Sequence, residues 1–105
     1  MPISPSLSAR IDGSNLLLSV QVASLDATTA RSMRQEIDDL WREEIISIEM
    51  DLSQVEFIDS SGVGALLYIS KKLTPQRGRL RLVKIPPVVR EVIELLRLQS
   101  VFLMG

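Results

Sequence analysis

The sequence has no cysteine and no histidine. The first absence excludes disulfides, thiolate metal sites and cysteine nucleophiles. The second excludes every histidine-dependent triad and any phosphohistidine relay. Chemistry by carboxylates alone stays open. No apolar run approaches the ~20 residues that a membrane-spanning helix needs, so no membrane insertion is expected. Neither sign of charge dominates: 12 Lys and Arg stand against 13 Asp and Glu, for a net charge of −1. That balance argues against a broad electrostatic footprint for nucleic acid or anionic lipid. There is no internal repeat and no low-complexity tract. What is present is 105 residues with 46% hydrophobic content, enough for one core and too little for two. The opening, Met1-Pro2-Ile3-Ser4-Pro5, lacks a basic cluster and an apolar stretch. It reads as a flexible arm over residues 1–5, not as a secretory signal. A cytoplasmic location is expected, and the lack of cysteine is compatible with it.

Hydrophobic spacing orders the elements. Ser6–Ile11 and Leu16–Val22 flank Asp12-Gly13-Ser14-Asn15, a turn by composition, and together predict a β-hairpin. Asp26 is an N-cap type, and Ala30, Met33, Ile37 and Leu40 then recur at helical spacing. They predict an amphipathic helix over residues 27–43, with Trp41 as a core anchor near its end. Ile45–Leu52 reads as a strand and Val55–Ile58 as a second short extended piece. From Val63 to about Leu73 the pattern is helical. Arg79–Lys84 alternates with period two, which turns Leu80 and Leu82 inward. Pro86-Pro87 opens a last helix with a broad apolar face. Val101-Phe102-Leu103 is either a final strand or a docked tail. Strands alternating with helices predict a single α/β domain, one sheet with helices packed against it. The opening hairpin makes that sheet mixed.

The most informative stretch is Phe57-Ile58-Asp59-Ser60-Ser61-Gly62-Val63-Gly64. Asp59, Ser60 and Ser61 are all N-cap types, because their oxygens accept from the free amides of a first helical turn. Neither serine has Glu or Gln three positions later, so neither opens a capping box. One cap needs only one of the three. A serine hydroxyl is therefore expected to be exposed at the positive helix end, where amides and macrodipole favour a phosphate. Gly62 and Gly64 each cost about 1 kcal/mol against Ala inside a helix. They serve either close packing on the domain's own sheet or the close approach of a partner. Val63–Ile69 is apolar on nearly every side, which leans toward a partner surface on part of that helix.

With these residues in place, a resemblance emerges. Asp59-Ser60-Ser61-Gly62-Val63-Gly64-Ala65-Leu66-Leu67, preceded by Met50-Asp51-Leu52-Ser53 and Phe57-Ile58, resembles the signature of STAS domains. More narrowly it is similar to the bacterial anti-sigma factor antagonists. Leu25-Asp26-Ala27-Thr28-Thr29-Ala30 matches the start of that family's first helix. Arg79–Val83, Pro87–Arg90 and Leu95-Leu96 match its later strand and helix. The resemblance implies a partner switch between this chain, an anti-sigma factor that is also a GHKL-type serine kinase, and a serine phosphatase. The unmodified antagonist binds the kinase, and phosphorylation of Ser60 ends that binding. Asp59 would position the loop and Ser61 would cap the helix. The implied partner-binding residues are Asp26, Asp59, Ser60, Ser61, Gly62, Val63 and Gly64. The chain departs from the family at Val22-Ala23-Ser24, where Gly or Glu is frequent before the Leu-Asp pair. That places the difference on the partner side.

Three other readings are distinct. A transporter-associated or scaffold STAS domain would bind a partner without a phosphorylation cycle. A response-regulator receiver would use Asp51 at a strand end and Lys84 before Ile85-Pro86, but Asp12 beside Gly13 lacks the second acid such a site needs for Mg²⁺. An enzyme would need a phosphate loop, a nucleophile elbow or a metal-ligand cluster, and none is present. The chain is therefore expected not to be an enzyme and to need no metal or cofactor.

Overall fold

The computed structural model describes residues 5–76 and 78–104. Apart from Pro5, the expected arm over residues 1–5 lies outside the described residues. The hairpin forms from β1 (Leu7–Asp12) and β2 (Asn15–Val20), with Asp12 opposite Asn15. Gly13 takes the left-handed conformation, φ 65°, which the two-residue turn requires. A short strand β3 (Ser24–Leu25) leads into α1 (Ala27–Leu40). β4 (Ser47–Asp51) and β5 (Phe57–Ile58) precede α2 (Ser60–Lys71) and a single 3₁₀ turn (Thr74–Gln76). β6 (Arg81–Val83), α3 (Pro87–Leu95) and β7 (Leu103–Met104) complete the chain.

The main sheet has the order β1-β2-β4-β6-β7. β1 is antiparallel to β2, and every other pairing is parallel, so the sheet is mixed as expected. β3 and β5 form a separate parallel pair. Alternation decides which face is covered. Leu16, Leu18 and Val20 of β2, Ile48 and Met50 of β4, and Leu82 of β6 point one way and are buried. Against them sit Ala30, Met33 and Ile37 of α1, Leu66 and Ile69 of α2, and Val89 and Ile93 of α3. The opposite face carries Arg10, Glu49 and Arg81, all exposed.

Several boundaries differ from the sequence reading. α1 ends at Leu40, three residues early, and Trp41 is already extended at ψ 136°. The chain turns there, with the Ile45 amide bonded to Arg42, so that β4 can enter the sheet. Trp41 does pack on the core but stays half-buried. β4 is shorter than Ile45–Leu52 because the Ile46 amide bonds to Ser14 in the hairpin turn. The final apolar segment is a strand, with Phe102 buried just before it. The helix from Val63 in fact begins at Ser60.

In α2 the domain's own packing accounts for most of the apolar surface. Gly62, Val63, Ala65, Leu66, Ile69 and Ser70 are all buried. Ser60 and Lys71 are exposed, and Ser61, Gly64, Leu67 and Tyr68 are half-buried. The helix is apolar nearly all round because sheet and α1 enclose it on two sides. Its far end is pinned to α1: the Tyr68 hydroxyl donates to Asp38 at 2.8 Å, and Lys72 Nζ lies 2.6 Å from the same carboxylate. Lys72, with Tyr68 second, holds the Asp38 carboxyl below its ordinary value.

Candidate functional site

The β3–β5 pair sets the geometry. Ser24 lies beside Phe57 and Leu25 beside Ile58, in parallel. Each strand runs directly into a helix, so α1 and α2 start side by side. Each start is closed by an aspartate. Asp26 Oδ1 accepts the amides of Thr28 and Thr29, both at 3.1 Å. The Asp26 amide donates to Thr29 Oγ1 at 2.9 Å, completing a capping box. The Thr29 amide holds the Asp26 carboxyl below its ordinary value. The stabilisation from this cap is therefore complete above the ordinary carboxylate range and is lost as the pH falls through the lowered value. The sequence reading named Asp26 only as an N-cap; Thr29 at the third position, a place more often held by Glu or Gln, completes the box.

Asp59 caps α2. Its Oδ1 accepts the amides of Ser61 at 2.9 Å and Gly62 at 3.1 Å, and its carbonyl accepts the Val63 amide. This corrects the expectation that Ser61 caps the helix. Ser61 is the second residue of α2, and it contributes its amide as donor. It also corrects the expectation of free amides for a phosphate, since the amides of Ser61, Gly62 and Val63 already have acceptors. Asp59→Ala is expected to lower stability by about 1 kcal/mol, and Ser61→Ala to stay within about 0.5 kcal/mol. Urea denaturation separates the two. Equal losses would mean that Asp59 is not the cap.

The other sequence-derived residues divide sharply. Ser60 is the first residue of α2 and is exposed. Asp26 and Asp59 are half-buried beside it, their oxygens turned to backbone. Gly64 faces open space, and a Cβ there would meet nothing within 4 Å. Gly62 is different: a Cβ would stand 2.4 Å from the Leu25 carbonyl oxygen and 2.9 Å from Ile58 Cγ1. Gly62 and Val63 are buried in the domain's own packing and present no side chain to a partner. Of the set, Ser60 is therefore exposed, and Asp26, Asp59, Ser61 and Gly64 are half-buried around it. Phe57, half-exposed beside them, was not singled out by sequence because a β-strand phenylalanine normally points inward.

The receiver-like residues take another course. Asp51 accepts the Ser53 amide at 2.8 Å and faces Lys84 Nζ at 3.6 Å. Among the described residues no group of three acidic side chains could hold a metal ion. No helix among them is long and apolar enough to cross a membrane. Arg79 and Arg81 are exposed, while Arg77 lies outside the described residues.

Comparison with known proteins agrees with this architecture. BtrV of Bordetella bronchiseptica, named as an anti-sigma factor antagonist, is 34% identical over 55 residues, covering 52% of this chain. The chain matches about half, 47%, of that relative's length. The structure of an anti-sigma factor antagonist from Mycobacterium paratuberculosis superposes with a TM-score of 0.79 at 26% identity, over 93% of this chain and 82% of that one. Unphosphorylated SpoIIAA, also an anti-sigma factor antagonist, superposes at 0.78 and 22% identity, over 94% of this chain and 87% of its own. The model of the STAS domain matches residues 6–105, and the chain belongs to the STAS domain family.

Proposed function

We propose that this chain is a partner-switching anti-sigma factor antagonist. In its unphosphorylated form it binds an anti-sigma factor that is also a GHKL-type serine kinase. The kinase moves the γ-phosphoryl group of ATP to Ser60 Oγ, the hydroxyl proton leaves, and ADP is the second product. Phosphorylation ends the complex, and a serine phosphatase restores the free hydroxyl. The need for ATP places the cycle in the cytoplasm. Ser60 is a substrate residue here, and the chain is not itself an enzyme.

One observation carries this reading: Ser60 stands exposed at the first position of α2, on a helix start whose backbone donors are already held by Asp59. A phosphate there finds the Ser61 and Gly62 amides taken. It adds about −1.5 to −2 charges beside Asp59, in a space that the bound partner would close. Desolvation and like-charge repulsion then act on the interface, and the fold need not change. The similarity to proteins named anti-sigma factor antagonists supports the same conclusion.

The test is phosphate mapping by mass spectrometry on the protein from its native host, with a Ser60→Ala strain as control. Phosphate on Ser60 that vanishes in the control is the expected result. No phosphate under growth or stress conditions would sink the switch and leave a constitutive scaffold.

A further inference from the structure

Parallel strands are as a rule covered on both faces, because crossover helices pack on each side. Here β2, β4, β6 and β7 run parallel, yet α1, α2 and α3 all bury their apolar residues against one side of the sheet. Among the described residues no helix lies over the other side. The strand registers set one residue of every strand in a single row across that bare face: Arg10, Leu17, Glu49, Arg81 and Leu103. Arg10, Glu49 and Arg81 are exposed, and Leu17 and Leu103 are half-buried. Glu49 and Arg81 are direct neighbours in register, yet the ion pairs among the described residues are Lys72 with Asp38 and Lys84 with Asp51. A cleft of about 270 Å³ opens on this row, with Leu17, Glu49, Arg81 and Leu103 in its lining.

We propose that this bare face pairs with the same face of a second copy, about a two-fold axis that runs parallel to the strands between β4 and β6. From β2 to β7 the row reads Leu17, Glu49, Arg81, Leu103: apolar, acid, base, apolar. Turned end for end by the axis, it is its own complement. Leu17 then meets Leu103 of the second copy, and Glu49 meets Arg81 of the second copy, each contact made twice. In the next row Asp51 falls opposite Val83, so like charges do not meet there either. Aligned sheets cross at about −30°, which keeps the residues nearest the axis opposed. Four strands at the ~4.8 Å spacing and three rows of side chains cover about 300 Å² per copy, against the ~800 Å² of a stable interface. The pair is therefore weak, with a dissociation constant of about 1 mM. Ser60 lies on the helix side of the sheet and stays open in the pair. The inference goes beyond the partner-switching reading and does not depend on it.

The experiment uses the full chain, purified unphosphorylated, and follows its rotational correlation time by NMR relaxation from micromolar to several millimolar protein. The expected result is a tumbling time that rises with concentration towards that of a dimer, with amide shifts confined to β2, β4, β6 and β7. The association should weaken as NaCl is raised. Glu49→Arg and Arg81→Glu should each weaken it about tenfold, since each sets like charges opposite one another twice. An equal mixture of the two variants should associate again, because it restores both opposite-charge contacts. Both side chains are exposed, so the variants keep the fold, which circular dichroism checks. A wild-type chain that stays monomeric at millimolar concentration would overturn the proposal. So would a dimer that both charge reversals leave intact. Loss of kinase binding by Glu49→Arg, with the wild-type chain monomeric throughout, would assign the face to a different protein and overturn the proposal as well.

Discussion

Gly62→Ala is expected to destabilise the domain by about 3 kcal/mol, read as a drop in the urea midpoint with an unchanged slope. Helix propensity alone points the other way, since Ala is favoured over Gly in a helix interior by about 1 kcal/mol. The clash decides the sign. The new Cβ would lie 2.4 Å from a backbone oxygen and 2.7 Å from the Cβ of Leu25. Neither atom is the far end of a flexible side chain. That oxygen also accepts the Asp59 amide at 3.2 Å, so moving it disturbs the cap of α2. Gly64→Ala, two residues on, is the internal control. It meets open space and should stabilise the domain by up to about 1 kcal/mol. Equal effects at the two positions would contradict the packing described for Gly62.

Ser60→Asp is expected to weaken binding to the kinase by about 30-fold, whereas Ser60→Ala stays near the wild-type affinity. A carboxylate brings one charge where phosphoserine brings about two, so its effect is a lower bound on that of the phosphate. Two like charges roughly 5 Å apart at an effective dielectric of about 20 repel by ~3 kcal/mol, and partial exposure reduces this to ~2 kcal/mol. Folding should not confound the result. Ser60 is exposed, and a carboxylate at a helix N-terminus is favourable. Titration calorimetry of the purified pair gives the two affinities. If Asp and Ala bind alike, charge at Ser60 does not control the interface, and a constitutive scaffold explains the chain better.

The alternation of strands and helices was legible because the sheet is covered on one face. Leu16, Leu18 and Val20 therefore alternate with outward residues, and Ala30, Met33 and Ile37 recur at helical spacing. Where periodicity was short, it failed. β3 has two residues, too few for any pattern, yet it sets the whole site by pairing with β5. The end of α1 was misplaced because Trp41, Arg42 and Glu43 all have acceptable helix propensity. What stops the helix is the path of the chain back into β4.

The candidate site divides along the same line. The run Asp59-Ser60-Ser61-Gly62 by itself determined that a helix starts there and that a serine hydroxyl is available. Three capping residues in a row cannot rank themselves, because each has an oxygen able to reach the same amides. Only the tertiary structure decided that Asp59 caps α2, since the Leu25 carbonyl holds the Asp59 amide and fixes its carboxylate under the first turn. Likewise Gly62 and Gly64 are equivalent in sequence and opposite in the fold. A residue's chemistry is written in its side chain, but which neighbour lies a few ångströms from its Cβ is set by β3, a segment more than 30 residues away.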